Sequence, residues 1–278
     1  MTNLPQTSVI VALLGTVVTA GPCAALSWSD PTWVACIGAS EKTVEQRIAA
    51  CTVEIGSASE TPESRAFAYA MRGSAYFQQR DYDHAMADYN EAIALDPKAA
   101  ATFGLRATVR HLKGDLDGAI ADYDRAIALS PDATRFSARG DAYLAKGDFD
   151  RALADYDQSI KLEPEFAFPY YQRGRAYLIK GDLDHAITAY SDAMGRNAKF
   201  ANAFAERGLA RQRGNDVDGA ITDYTEALHI NPRQPLALYG RGILRRKMGD
   251  AENAERDMAA ARTIASDIAE QFKGFGLE

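Results

Sequence analysis

The stretch KGDLDGAIADYDRAIALSP, residues 113–131, places Asp115 and Asp117 two residues apart, as at the start of a loop that binds a cation. A near copy, KGDLDHAITAYSDAM, starts at residue 180. A calcium loop also needs a third oxygen ligand, a central glycine and a distal glutamate in register. Neither copy continues in that register. The spacing therefore predicts no metal site, and the paired acids need another explanation.

Other side chains that could do chemistry are scattered along the chain. No two of the histidines share a helix at the spacing of zinc ligands. They are His84, His111, His185 and His229. The sequence has no phosphate-binding glycine loop, no Gly-x-Ser-x-Gly nucleophile motif and no pairing of a nucleophile with a base. The sequence therefore predicts a protein that is not an enzyme, without catalytic residues, cofactor or metal.

The cysteines offer a structural bond. Cys36 and Cys51 remain if Cys23 is removed with an N-terminal leader, and two cysteines can pair in an oxidising compartment. Fourteen residues separate them, unlike the two-residue spacing of redox-active pairs. A structural disulfide between Cys36 and Cys51 is favoured over a catalytic pair.

Residues 1–25 have the features of an export signal. They carry no charged side chain, and the apolar block Val9–Val18 is shorter than the roughly 20 residues of a membrane-spanning helix. We predict cleavage after Ala25, with Ala20 as the second choice. Because the usual Lys or Arg before the block is missing, an uncleaved anchor is the alternative. A cleaved protein would be periplasmic or secreted in a Gram-negative bacterium, with no stable membrane insertion.

Composition limits the partners. The chain has 278 residues, of which 47% are hydrophobic and 25% charged, as in a globular protein. Its net charge is −7. A nucleic-acid partner is not expected, because phosphate binding requires a basic face.

The strongest signal is an internal repeat. Prolines 97, 131, 164 and 232 are separated by 34, 33 and 68 residues, the last being two periods. With Pro97 at position 32, six units begin at residues 66, 100, 133, 167, 201 and 235, and they are called repeats 1 to 6 below. Positions 20 and 27 are small in all six. Position 8 is also small, and position 24 is large. The position-8 residues are Gly73, Ala107, Gly140, Gly174, Gly208 and Gly242, and the position-24 residues are Tyr89, Tyr123, Tyr156, Tyr190, Tyr224 and Met258.

This period and this small-large-small pattern resemble the tetratricopeptide repeat family over about residues 66 to 266. The resemblance implies an all-α fold, a solenoid or α-α superhelix of about six helix-turn-helix units closed by capping segments. Close approach of two helices requires small residues, and a large ring fills the groove beside them.

The repeat explains the paired acids. Position 16 is Asp in all six units, and a glycine precedes it in four. Glycine can end the first helix in a left-handed conformation, and Asp can cap the second helix. The acid two residues later falls in the first turn of that helix, where the dipole favours negative charge.

Arginine has the same period. Position 7 is Arg in every repeat, and an Asp follows sixteen residues later in five of them, with Ala189 as the exception. The pairs are Arg72 with Asp88, Arg106 with Asp122, Arg139 with Asp155, Arg207 with Asp223 and Arg241 with Asp257; the arginine of repeat 4 is Arg173. We predict an Arg-Asp ladder between the two helices of each repeat. A basic stripe for an acidic ligand is the alternative.

The predicted organisation has four parts. Residues 1–25 are the signal peptide, 26–60 a disulfide-bearing N-terminal cap, 61–264 the six repeats and 265–278 a C-terminal capping helix. Within the first cap, RIAACTVEI aligns with AMADYNEAI, so Cys51 falls where repeat 1 has Tyr89.

By resemblance, positions 2, 5, 9 and 12 of the first helices line a concave groove. The candidate groove residues are Phe67, Phe77, His111, Asp141, Phe168, Tyr171, Arg175, Tyr239 and Arg246. Such aromatics favour a groove for an extended peptide or a partner helix. Packing between neighbouring helices is an equally weighted explanation. The family's clamp for a C-terminal carboxylate is not expected, because Ala70, Ser74 and Leu105 stand at its positions. The predicted function is an exported scaffold for a protein or peptide partner; the alternative is a cell-envelope assembly factor or a regulator of a cell-wall hydrolase.

Overall fold

A computed structural model describes residues 30–38, 42–58 and 60–277. The predicted signal peptide with Cys23 lies outside these residues. The described residues form fifteen α-helices and no strand. They divide into two compact units, an N-terminal unit that ends at Asp148 and a C-terminal unit that begins at Phe149.

The helices of the N-terminal unit are α1 Pro31–Cys36, α2 Val44–Gly56, α3 Pro62–Gln78, α4 Tyr82–Leu95, α5 Ala100–Leu112, α6 Leu116–Leu129 and α7 Ala133–Lys146. Those of the C-terminal unit are α8 Phe149–Leu162, α9 Ala167–Lys180, α10 Leu183–Arg196, α11 Ala201–Arg213, α12 Val217–Ile230, α13 Pro235–Lys247, α14 Ala251–Ile264 and α15 Ile268–Gly274. Within each unit, consecutive helices pack as helix-turn-helix pairs.

The helix starts follow the repeat. Aspartates at position 16 accept a hydrogen bond from the backbone N–H three residues later, which confirms the predicted cap in five repeats. They are Asp81, Asp115, Asp182, Asp216 and Asp250. The glycine before the cap adopts a positive φ, for example 84° at Gly114 and 81° at Gly181. Arg80 and Asn215 adopt the same conformation at φ 61° and 65°, so the left-handed turn persists without glycine.

The core of each pair is the predicted contact between a ring and a small residue. All five position-24 tyrosines are 2% exposed or less. A Cβ added to Gly73 would lie 2.8 Å from the ring of Tyr89, and one added to Gly174 would lie 2.7 Å from Tyr190. Only glycine permits this approach without displacement of the ring.

The N-terminal end is closed by α1 and α2. The Sγ atoms of Cys36 and Cys51 lie 2.10 Å apart, a disulfide distance, and both residues are fully buried. Trp33 stacks on Phe67 of repeat 1 with ring centroids 6.1 Å apart. Cys51 thus packs where a repeat has its tyrosine, and a disulfide stands in place of the ring.

The C-terminal end is closed by α15, at the place where a short closing helix was predicted. Phe272 and Ile268 of α15 are 0% and 2% exposed. The ring of Phe272 lies 5.0 Å from that of Tyr239 in α13. An aromatic contact therefore covers the last repeat, as Trp33 covers the first.

Candidate binding surface on the first helices

The position-7 arginines form the predicted ladder. In four repeats the guanidinium donates two hydrogen bonds to the aspartate sixteen residues later, at 2.7 to 3.0 Å. The pairs are Arg72 with Asp88, Arg106 with Asp122, Arg207 with Asp223 and Arg241 with Asp257. These carboxylates are at least 91% buried, so each charge is satisfied in the interior. Arg139 and Asp155 belong to different units, so the Arg-Asp pair of repeat 3 stays a prediction.

Repeat 4 departs from the ladder because Ala189 replaces the aspartate. Its Arg173 donates instead to Asp157, at 3.0 Å, and to Asp192, at 3.4 Å. Both carboxylates are about half exposed, with side-chain exposures of 58% and 41%. This arginine is therefore held less firmly than the others.

Five of the six arginines, all but Arg241, also reach the preceding helix pair, a contact that sequence reasoning missed. The guanidinium donates to a polar side chain at position 25 of the repeat before it. The acceptors are Asn90 for Arg106, Asp124 for Arg139, Asp157 for Arg173 and Ser191 for Arg207. Arg72 donates to Thr52 of α2 at 3.0 Å, so the N-terminal cap provides the same contact as a full repeat. The polar residue at position 25 was the available signal. The arginines are structural cross-links, and the basic-stripe alternative fails for the four paired ones.

In the N-terminal unit the candidate groove residues are mostly half-buried. Phe67 is used for packing against Trp33, whereas the ring of Phe77 lies 5.8 Å from that of Tyr82. Asp141 is half-buried. Between them lies Gly104, a buried glycine at position 5 of α5, where an added Cβ would meet no atom within 4 Å. The surface beside Gly104 is therefore unfilled.

His111 lies on the same face of α5, two turns after Gly104. Burial lowers the pKa of its imidazole, because the charged form would lose its hydration without gaining a counter-charge. Its Nε2 atom is buried and has no hydrogen-bond partner among the described residues. His111 is therefore a neutral, half-buried side chain.

In the C-terminal unit the candidate groove residues are closely packed. Tyr171 and Tyr239 are only 8% and 7% exposed. The ring of Tyr171 lies 4.8 Å from that of Phe200, and Phe168 packs on its other side at 6.1 Å. Both tyrosines fill the space between consecutive repeats, as expected if these aromatic residues pack between neighbouring helices. Their role in a groove stays untested.

The two arginine candidates differ in their surroundings. Arg175 is half-buried, with its Nε 3.7 Å from Glu206 Oε1 and its guanidinium donating to Gln172 at 3.2 Å. Arg246, at the end of α13, is exposed and has no side-chain partner among the described residues. Arg246 is thus the most accessible of the nine predicted groove residues.

A buried carboxylate at Glu206 was not foreseen. It accepts hydrogen bonds from the hydroxyl of Tyr171 at 2.8 Å and of Tyr190 at 2.7 Å. Burial, and then the charge of Glu206, raise the pKa of Tyr190 well above its usual value. Position 6 is otherwise Met71, Leu105, Ala138, Gln172 or Gly240, so no periodic pattern signals a charge there.

The histidines and acids do not assemble a metal centre. His84 and His185 each pair through Nδ1 with the capping aspartate of their own helix, Asp81 at 2.7 Å and Asp182 at 2.8 Å. Within the described ranges no group of three or more His, Cys, Asp or Glu could hold a metal ion. Among the helices of those residues, none combines the length and apolar character that crossing a membrane requires.

Comparison with known families agrees with this geometry. Models described as tetratricopeptide or TPR repeats match residues 66–99, 140–178, 169–200 and 205–267, which together span more than half of the chain. The chain belongs to the tetratricopeptide repeat family. The all-α helix-turn-helix fold predicted from the sequence is confirmed, and proteins of this family are generally interaction scaffolds.

Solved tetratricopeptide structures share the fold at low sequence identity. YrrB, described as a TPR protein with an unusual peptide-binding site, is 20% identical over 63% of this chain and 91% of its own, with a TM-score of 0.52. Pseudomonas aeruginosa pilF is 15% identical over 77% and 99%, at 0.67. PilW, a type IV pilus biogenesis factor, is 17% identical over 71% and 92%, at 0.65. A search of curated proteins finds no match.

Proposed function

We propose that this tetratricopeptide protein is an exported, non-enzymatic scaffold that binds a peptide or helix of a partner protein on the face formed by its first helices. Export is supported by the uncharged, apolar leader and by the disulfide distance between Cys36 and Cys51. Peptide binding by YrrB, as its description states, is a precedent within the fold.

One observation carries the proposal: the residues that pack the helices together lie on different helix faces from the residues that remain accessible. The rings of position 24 and the Arg-Asp pairs occupy the faces between helices, and they are buried. The remaining face of the first helices carries side chains that are half-buried or exposed, among them Phe77, His111, Asn202 and Arg246. These side chains keep part of their surface accessible, and such a surface suits a partner segment.

Photo-cross-linking from defined positions tests the proposal. A photoreactive amino acid replaces His111 or Arg246 on the first helices, or the exposed Ala121 or Thr222 on the second helices as matched controls. The variants are produced in a Gram-negative host with the envelope intact. We expect the same cross-linked partner from both first-helix positions and none from the controls. Equal cross-linking from both sets would contradict binding on this face.

The second candidate is an assembly factor of the cell envelope. The fold of PilW, a pilus biogenesis factor by its description, favours this possibility. Identification of the cross-linked partner separates the two candidates, because an envelope-assembly component or a cell-wall hydrolase would assign the process directly.

A further inference from the structure

Most cations of the described chain have an acidic partner. The ladder neutralises the paired position-7 arginines, and lysines near the end of the first helices bind aspartates of the preceding repeat. These pairs are Lys113 with Asp83, Lys146 with Asp117 and Lys180 with Asp150. Cations without a partner are therefore the exceptions in this chain.

Four such cations lie at the ends of the first helices α11 and α13 of the C-terminal unit or in the loops that lead into them. They are exposed, and no carboxylate of the described residues pairs with them: Lys199, Arg233, Arg246 and Lys247. The equivalent positions 12, 13 and 33 of repeats 1 and 2 hold only one cation, Lys98. The others there are Phe77, Gln78, His111, Leu112 and Asp132. At these positions the unpaired positive charge is therefore concentrated in the C-terminal unit.

The four cations bracket one stretch of surface. Lys199 and Arg233 lie in the loops that lead into α11 and α13, whereas Arg246 and Lys247 end α13. The loop with Arg233 lies beside α11, because the next residue, Gln234, donates to Asn202 at 3.5 Å. With 13 residues, α13 is about 20 Å long, which an extended segment of about six residues would span.

A polar group between the cations lacks a partner. Gln212, at position 12 of α11, is 7% exposed, and its Oε1 accepts the hydroxyl of Tyr224 at 2.7 Å. This bond fixes the amide, and its buried Nε2 donor has no acceptor among the described residues. A buried N–H group without an acceptor is unfavourable, so this donor would gain from an oxygen atom beside it, whether of a water molecule or of a ligand.

From this arrangement we infer that the C-terminal unit docks an acidic polypeptide segment, whose carboxylates pair with Arg246, Lys247, Lys199 and Arg233. The inference rests on the proposed function and names the chemistry of its partner. Charge provides the recognition in this proposal, because Tyr171 and Tyr239 are only 8% and 7% exposed and offer little apolar surface to a ligand. Four separated cations suit a few carboxylates, whereas a nucleic acid requires a basic face that contacts successive phosphates.

Binding of defined peptides tests the inference by fluorescence anisotropy. The probes are labelled Glu-Ala repeat, Gln-Ala repeat and Lys-Ala repeat peptides of equal length, and a short single-stranded DNA. Residues 26–278 should bind the Glu-Ala peptide only, with affinity that falls as salt rises. Arg246→Glu with Lys247→Glu, and Lys199→Glu with Arg233→Glu, should each weaken binding by about tenfold.

The matched control is Lys98→Glu with Arg125→Glu, the same charge change at exposed positions of the N-terminal unit, which should leave binding unchanged. Circular dichroism verifies that every variant is folded. Absence of Glu-Ala binding, equal loss in the control, or equally tight DNA binding lost in the same variants would each overturn the inference. If this inference fails but a photoreactive residue at Arg246 or His111 still cross-links a partner, the proposed function stands. Loss of all cross-links would contradict the proposed function and this inference together.

Discussion

The N-terminal and C-terminal units share one frame but differ on the face of their first helices. Position 5 is Ala70 and Gly104 in repeats 1 and 2, whereas it is Tyr171 and Tyr239 in repeats 4 and 6. A Cβ added to Gly104 would meet no atom within 4 Å, whereas the tyrosines fill the gap to the next helix. The aromatic residues at this position therefore pack between repeats, and Gly104 leaves an open place on the surface of the N-terminal unit.

The same difference appears in the buried hydroxyl groups. In the N-terminal unit Tyr89 bonds to Ser74 at 3.3 Å, and Tyr123 bonds to Thr108 at 3.0 Å, so position 9 supplies a neutral partner. Position 9 of repeats 4 and 5 is Arg175 and Leu209, neither of which can accept a hydrogen bond from its side chain. Tyr190 and Tyr224 turn to Glu206 and Gln212 instead. The C-terminal unit depends on partners outside the repeat pattern.

The largest expected effect concerns the buried position-24 tyrosine, which both units share. Tyr123→Ala and Tyr224→Ala should each lower the free energy of unfolding by about 3 to 5 kcal/mol, because each leaves a cavity against a small residue. Urea denaturation followed by circular dichroism measures the loss. Markedly different losses would show that the two units do not use the tyrosine in the same way.

The disulfide should matter next. Reduction of Cys36–Cys51 should cost about 3 kcal/mol in a chain-entropy estimate, since the bond closes a loop of about 15 residues. Hydrogen exchange should increase in α1 and α2, while α15 at the other end is unaffected. Mass spectrometry of the exported protein checks the bond itself, and detection of two free thiols would refute it.

Removal of one tyrosine hydroxyl should lower the stability of the C-terminal unit more than that of the N-terminal unit. Tyr190→Phe leaves an oxygen of buried Glu206 without a donor and should cost about 2 kcal/mol. Tyr89→Phe should cost less than about 1 kcal/mol, because Ser74 still donates to the Ala70 carbonyl at 2.8 Å. Chemical denaturation of both variants gives the comparison. Equal losses would mean that the charge on Glu206 makes no difference.

The smallest expected effect is a pH dependence confined to the N-terminal unit. Because burial lowers the pKa of His111 below its usual 6.5, the unfolded chain binds the proton more readily. The stability that neutral His111 contributes is fully present above pH 6.5 and is lost as pH falls through the folded-state pKa. The loss is about 1.4 kcal/mol for each unit by which the pKa is lowered. His111→Gln should flatten this part of the stability profile. An unchanged slope between the two proteins at mildly acid pH would contradict the assignment.

The repeat period determined most of what could be predicted. The helix pairs, the caps at Asp115 and Asp182, and the Arg-Asp ladder all follow from residue types that recur in register. The candidate surface was harder to foresee, because a tyrosine at position 5 can face either solvent or the next helix. Glu206 is unique among the repeats, and its partners come from two other helices. Periodicity carries no information about a single exception.

The arginine at position 7 has a consequence for how such a chain can change in length. In repeats 2, 4 and 5 its guanidinium bonds inside its own helix pair and also to position 25 of the pair before. Thr52 of α2 meets that requirement for Arg72 as well as Asn90 of α4 does for Arg106. The junction is thus interchangeable. A duplicated or deleted pair would therefore keep this contact at its new junctions, whereas the bond from Tyr171 to Glu206 between repeats 4 and 5 would be lost.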